Sequence, residues 1–186
     1  MQYYGLKDHE VSTFQKELHL SNFSALVWLM LCSQLTEAVD YLHAEADILH
    51  NDIKGDNVLI TQSSSQAEDC KFQVVLVDFG KAIKVVNPKR YKLTVFEKKE
   101  YFQKYPHIAP EVIEGETKQS IQSDIYSVGR LFYQIKDNEH LKSICNKAQL
   151  LFEDLARKCT RSNFSKRLTS KKMLDDFKKI FAQLEN

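Results

Sequence analysis

Cysteine is sparse in this chain, and its pattern is unpaired. Four cysteines (Cys32, Cys70, Cys145, Cys159) are spread through 186 residues with no C-x-x-C. That spacing argues against zinc and against a disulfide framework, and for free thiols in a reducing compartment. The six histidines include no H-x3-H pair that would face a metal from one side of a helix. Charge of one sign is also lacking. The formal net charge is +1, which gives no reason to expect nucleic acid as a partner. Long hydrophobic runs are missing too: the longest, residues 25–32, is far too short to span a bilayer. Residues 1–10, MQYYGLKDHE, lack a basic segment followed by an apolar one, so no secretory leader is expected. The expectation is a soluble, cytoplasmic chain whose length, at 43% hydrophobic residues, allows one domain with a real core.

What is present centres on residues 48–60, ILHNDIKGDNVLI. Asp52 stands between an apolar lead-in and an apolar strand, with Lys54 two residues on and Asn57 five residues on. Such a set suits phosphoryl transfer. A carboxylate can accept a proton from an attacking hydroxyl, an ammonium can neutralise phosphate charge, and an amide oxygen can hold a hard cation. The plainer alternative is a solvated polar turn. A second anchor follows at residues 74–80, VVLVDFG, where a β-branched run delivers Asp78 and Phe79-Gly80 turns the chain. Its plainer alternative is an ordinary β-turn. The order of loop, strand, polar hairpin, strand and D-F-G makes coincidence a poor explanation for both together.

At these residues the chain resembles the C-terminal lobe of a eukaryotic protein kinase, over about residues 25–184. His50-Asn51-Asp52 stands where that family has H-R-D, with Lys54 and Asn57 at its downstream Lys and Asn. Asp78-Phe79-Gly80 matches D-F-G and Ala109-Pro110-Glu111 matches A-P-E. Asp124 to Gly129, DIYSVG, looks like the opening of the family's buried central helix, and Arg167 like the arginine that pairs with the A-P-E glutamate. The resemblance implies a mainly α fold with a small β-hairpin region. It implies Asp52 and Lys54 as catalytic residues, and Lys54, Asn57, Leu59 and Asp78 as ATP contacts. Asn57 and Asp78 would be Mg2+ ligands. His50, Phe79, Gly80, Glu111, Asp124 and Arg167 would be structural supports, His50 by packing on Phe79 and Asp124 by accepting backbone N–H bonds from the His50–Asp52 loop. Its partners would be ATP and a protein substrate.

The departures from the family matter as much. No G-x-G-x-x-G loop and no V-A-I-K-like strand precede these motifs. Residues 1–186 therefore read as one partial kinase domain, whose N-terminal lobe would come from sequence or a partner supplied elsewhere. Residues 1–22 read either as the end of the last N-lobe strand and the hinge, or as a frayed arm. Asn51 replaces an arginine that clamps an activation-loop phosphate, so dependence on such a phosphate is not expected. Residues 104–107, KYPH, replace the usual G-T-x-x-Y ground, removing the threonine that contacts the catalytic Asp and Lys. Lys54 favours Ser/Thr over Tyr acceptors.

Elsewhere, residues 24–46 should form a long helix capped by Ser21, Asn22 or Ser24. Leu29, Cys32, Leu35, Val39 and Leu42 lie on one face, and Leu26, Trp28 and Leu31 extend burial around its first half. His43 reads as a packed or capping residue. Residues 61–71 read as a solvated hairpin tip. Residues 78–111, the activation segment by resemblance, hold eight Lys or Arg between positions 81 and 104. These are either a solvated charge run or an attractor for an acidic surface. Tyr91, Thr94, Tyr101 and Tyr105 offer hydroxyls in what reads as a mobile loop. Residues 123–135 should form the central helix, and two amphipathic helices should follow, lined by Leu151, Leu155 and Cys159 and by Leu174, Phe177, Phe181 and Leu184. Three functions remain open: a protein kinase lobe, a non-catalytic interaction module derived from one, and a small-molecule phosphotransferase. The A-P-E, the DIYSVG stretch and Arg167 argue against the last.

Overall fold

Apolar spacing and capping residues divide the chain into short strands and amphipathic helices. The computed structural model describes residues 11–21, 23–62, 72–137 and 140–184. In order these form β1 (Val11–Thr13), α1 (Phe14–Leu20), α2 (Ala25–Ala44), β2 (Ile48–Leu49), β3 (Val58–Gln62), β4 (Phe72–Leu76) and β5 (Ile83–Lys84), followed by α3 (Val95–Lys104), α4 (Pro110–Ile113), α5 (Ile121–Asp137), α6 (Asn146–Cys159) and α7 (Ser170–Ala182). The fold is mainly α, with strands confined to small antiparallel ladders.

Helix α2 is the axis of the core. Ser24 caps it by accepting from the Val27 N–H. Its buried face carries Leu29, Cys32, Leu35, Val39 and Leu42, and Trp28 and Leu31 are buried beside them. Leu26 is 45% exposed, so burial does not extend all round the first half. Helices α5 and α7 pack on α2 and α6 packs on both of them, with Phe132, Phe152 and Phe177 in mutual ring contact at 5.3 to 6.4 Å. The stripe on α7 is Met173, Phe177 and Ile180, one residue away from the one expected. Leu174, Phe181 and Leu184 flank it, because the partner helices meet α7 on the Met173 side.

The hairpin β3–β4 gains a third strand. β1 pairs antiparallel with β3 in the register Val11↔Thr61 to Thr13↔Leu59, giving the order β1-β3-β4. Thr13 then caps α1, whose Phe14 and Leu18 are buried in the main core. A frayed arm therefore does not describe residues 11–20, since their apolar side chains have a core to enter. Residues 1–10, and most of the expected hairpin tip (63–71), lie outside the described residues. The outer edge of β4 is covered by Gln34 of α2, which donates to the Phe72 carbonyl and accepts from the Val74 N–H. That satisfies edge groups that would otherwise be open to another strand.

A second, smaller core forms around Ile108, Ala109, Val112 and Ile113, with Tyr91, Tyr101, Tyr105 and Tyr126 against it. The expected mobile loop thus contains helix α3, and its tyrosines are packed. Thr94 is engaged in a capping box, its hydroxyl accepting from the Glu97 N–H while Glu97 accepts from the Thr94 N–H. Cys32, Cys145 and Cys159 are free thiols, and no helix among the described residues is long and apolar enough to cross a membrane.

Candidate active site

The loop that carries Asp52 is held from behind by one buried carboxylate. Asp124, in the first turn of α5, accepts the backbone N–H of His50 at 2.8 Å on Oδ2 and that of Asn51 at 2.9 Å on Oδ1. His43 donates its Nε2–H to the same Oδ2 at 3.0 Å. A carboxylate can only accept, so the His43 proton sits on Nε2. Three donors from two elements fix the loop where Asn51 takes a left-handed φ of 65°. Asn51 in turn donates to the Lys81 carbonyl at 3.1 Å. His50 donates to the Val77 carbonyl at 3.1 Å, and its ring lies 4.8 Å from that of Phe79.

This frame buries Asp52 to 3% exposure and surrounds its carboxylate. Lys81 Nζ and His107 Nε2 both lie 3.0 Å from Oδ1. Asn57 Nδ2 donates to Oδ2 at 3.2 Å and to the Asp52 carbonyl at 2.9 Å, and Lys54 Nζ stands 3.9 Å from Oδ2. Burial alone would raise the Asp52 pKa. The hydrogen bonds from Lys81 and His107 and the charges of Lys81 and Lys54 outweigh it, and the carboxyl sits below its ordinary value. Burial lowers the His107 pKa against the pull of Asp52, so the imidazole is neutral at pH 7 and donates through Nε2–H. Lys81 moves the other way: burial would lower its pKa, but the bond to Asp52 raises it.

Asp78 follows β4 with a left-handed φ of 62°, its side chain accepting from the Gly80 N–H. Asp78, Phe79 and Gly80 are exposed, Phe79 to 45%. Leu59 lies half-buried on β3, opposite Val75 of β4, on the face away from the buried Val58 and Ile60. Asn57 has committed its N–H to Asp52, which leaves Oδ1 as its oxygen for a cation. With Asp78 it offers two hard oxygen donors, and no cluster of three His, Cys, Asp or Glu among the described residues would form a full cage. A sparse oxygen set of this kind fits Mg2+, which keeps waters and takes substrate oxygens, better than a structural zinc.

Glu111 and Arg167 meet in a buried bidentate pair at 2.6 and 2.8 Å. Arg167 also donates to the Gln122 and Arg161 carbonyls and lies 4.9 Å from the Tyr126 ring. The pair ties the segment after α3 to the turn before α7.

Reading the sequence missed Lys81 and His107. Lys81 directly follows the D-F-G and His107 directly precedes Ile-Ala-Pro-Glu. The signal available was chemical: a cation and an imidazole flanking a segment whose usual threonine is absent. Their convergence on one carboxylate oxygen is visible only in three dimensions.

The comparisons with known proteins agree on one family. A family model for the protein kinase domain matches residues 10–177. A Mycoplasma pneumoniae protein named among the serine/threonine-protein kinases is 26% identical over 187 residues, covering 82% of this chain and 46% of its own length. The serine/threonine-protein kinase dst2 of Dictyostelium discoideum is 27% identical over 73% of this chain and 11% of its own length. The human Nik-related protein kinase is 29% identical over 77% of this chain and 10% of its own. This chain therefore spans less than half the length of these relatives. With the family match running through Asp52, Asn57, Asp78, Glu111 and Asp124, the chain belongs to the protein kinase domain family.

Proposed function

We propose that this chain carries the phosphoacceptor half of a protein kinase that transfers the γ-phosphoryl group of ATP to a protein hydroxyl, Ser or Thr in preference to Tyr. The observation that carries the reading is the Asp52 carboxylate: buried, held below its ordinary pKa, bonded to Asn57 and 3.9 Å from Lys54. Mg2+ and ATP would supply the transferable phosphoryl group and the neutralisation of its charge. Asn57 and Asp78 would hold the cation, and Leu59 would lie under the nucleotide. Asp52 would orient the acceptor hydroxyl and take its proton, and Lys54 would offset charge developing beside it. The exposed Phe79 and Val75 fit a second lobe, in cis or from a partner, seated on this face.

The test is phosphorylation of a generic Ser/Thr substrate by the intact protein. Asp52→Asn should lower kcat by about a thousandfold, in the range that loss of a positioned base costs, with nucleotide affinity little changed. Equal activity in wild type and variant sinks the assignment. One observation favours a second reading, a non-catalytic interaction module: Lys81 and His107 both occupy the Oδ1 that an acceptor hydroxyl would need. Nucleotide binding that is independent of Asp78, together with absence of transfer, would select that reading.

A further inference from the structure

A cavity of about 320 Å3 opens beside the Asp52 carboxylate, between the start of α1, the Lys54–Asp56 turn, the connection from α3 to α4, and α5. Its wall includes two side chains that touch Asp52: His107, which donates to Oδ1, and Lys54, 3.9 Å from Oδ2. The cavity is therefore one side chain away from the candidate base. Its charge is one-sided, with Lys54, Lys104 and Arg130 against Asp56. Lys54 faces Asp52. Lys104 and Arg130 have no carboxylate partner among the described residues; Lys104 lies 5.4 Å over the Tyr105 ring.

We infer that this cavity selects substrates by receiving an anionic side chain, carboxylate or phosphate, one or two residues from the acceptor hydroxyl. The inference rests on the phosphotransfer reading above and names its substrate class. Consecutive residues of an extended peptide advance roughly 3.3 Å. A chain presenting its hydroxyl at Asp52 thus brings its near neighbours to the mouth of the cavity. A partly enclosed pocket with two cations lacking carboxylate partners rewards an anion there and repels a cation. Asp56 is exposed and leaves the balance positive. The basic stretch between residues 81 and 104 thereby gains a defined site in place of a diffuse field, with Lys104 from that stretch and Arg130 from the central helix.

The experiment uses the intact protein and three fluorescein-labelled peptides, each with one acceptor Ser flanked on both sides by Gln, by Glu or by phosphoserine, and a fourth flanked by Lys. Binding by anisotropy and transfer to the acceptor are read separately. The expected result is affinity for the Glu and phosphoserine peptides about tenfold above that for the Gln peptide. The preference should shrink with added salt, and in the Lys104→Glu/Arg130→Glu variant it should pass to the Lys-flanked peptide. The Glu and phosphoserine arms rank carboxylate against phosphate. Anionic preference in binding without transfer upholds the cavity and overturns the phosphotransfer reading. Transfer without anionic preference does the reverse. Equal binding of the Gln, Glu and phosphoserine peptides, or a preference the charge reversal leaves intact, overturns the inference.

Discussion

At the scale of residues, two ionisations at the candidate site push stability in the same direction. The Asp52 carboxyl is depressed in the fold, so its contribution is fully present above its ordinary value of 3.8 and is lost as pH falls through the folded value. His107 is a base whose pKa is lowered from 6.5, so the unfolded chain binds its proton more readily, and stability falls as pH drops below that value. Between about pH 7.5 and 5.5 only His107 of the two titrates. The expected outcome is a urea midpoint that declines over this range in the wild type and less steeply in His107→Gln. Parallel slopes would show that the His107 pKa is the same in the folded and unfolded chain. The Glu111–Arg167 pair predicts a different effect. Removing one partner leaves a buried, unpaired charge, so Arg167→Met should cost about 3–5 kcal/mol by urea unfolding. The double variant with Glu111→Gln should cost less than the sum of the two single changes. Additive losses would mean that the two side chains do not interact.

At the scale of elements, close approach sets what can be changed. A Cβ built on Gly129 of α5 would lie 2.6 Å from the Cys159 Cβ and 2.8 Å from Thr160 Cγ2. Helices α5 and α6 cross at that point with room for a hydrogen only. Gly129→Ala gains helix propensity, but the overlap outweighs it, and a net loss of about 1–3 kcal/mol is expected. A stabilised variant would show that the crossing can open. The long helices were legible in the sequence because their burial repeats: Leu29, Cys32, Leu35 and Val39 on α2, and Ile125, Val128, Phe132 and Ile135 on α5, are all in the core. β1 was not legible, because three residues, VST, carry no period. Helix α3 buries none of its residues and therefore has no apolar stripe. Its one local signal was the Thr94–Glu97 capping box. On α7 the period was legible and its phase was not, since Met173, Phe177 and Ile180 compete with Leu174, Phe181 and Leu184 for the same role.

At the scale of the whole molecule, the candidate site joins two packed bodies of unequal size. Asp52, Asn57 and the Asp124 clamp belong to the main core around α2 and α5. Residues 85–107 lead into the small core of Ile108, Ala109, Val112 and Ile113, whose partners are half-buried tyrosines. The motif residues of the first body are set by short-range spacing, which is why their positions could be read from the sequence. Of the contacts between the bodies, Arg167 to Glu111 across 56 residues was expected from the family resemblance, whereas His107 to Asp52 across 55 follows no spacing rule and was not. Amide exchange should separate the two. Helix α3 is held by its capping box, the Lys98–Glu114 ion pair and the half-buried Tyr101, and none of its side chains is fully buried, so it should open locally at a small fraction of the global unfolding free energy. Its amides are expected to exchange at least about a hundredfold faster than those of α2 and α5. Glu111→Gln should speed exchange across residues 85–107 and leave α2 nearly unchanged, because the lost ion pair anchors only the second body. Uniform protection of α3 and α2 would mean that residues 85–107, with His107, form one cooperative unit with the main core. In that case Lys81 and His107 would leave the Asp52 oxygen by side-chain rotation alone, and the acceptor hydroxyl would reach the base without opening of the segment.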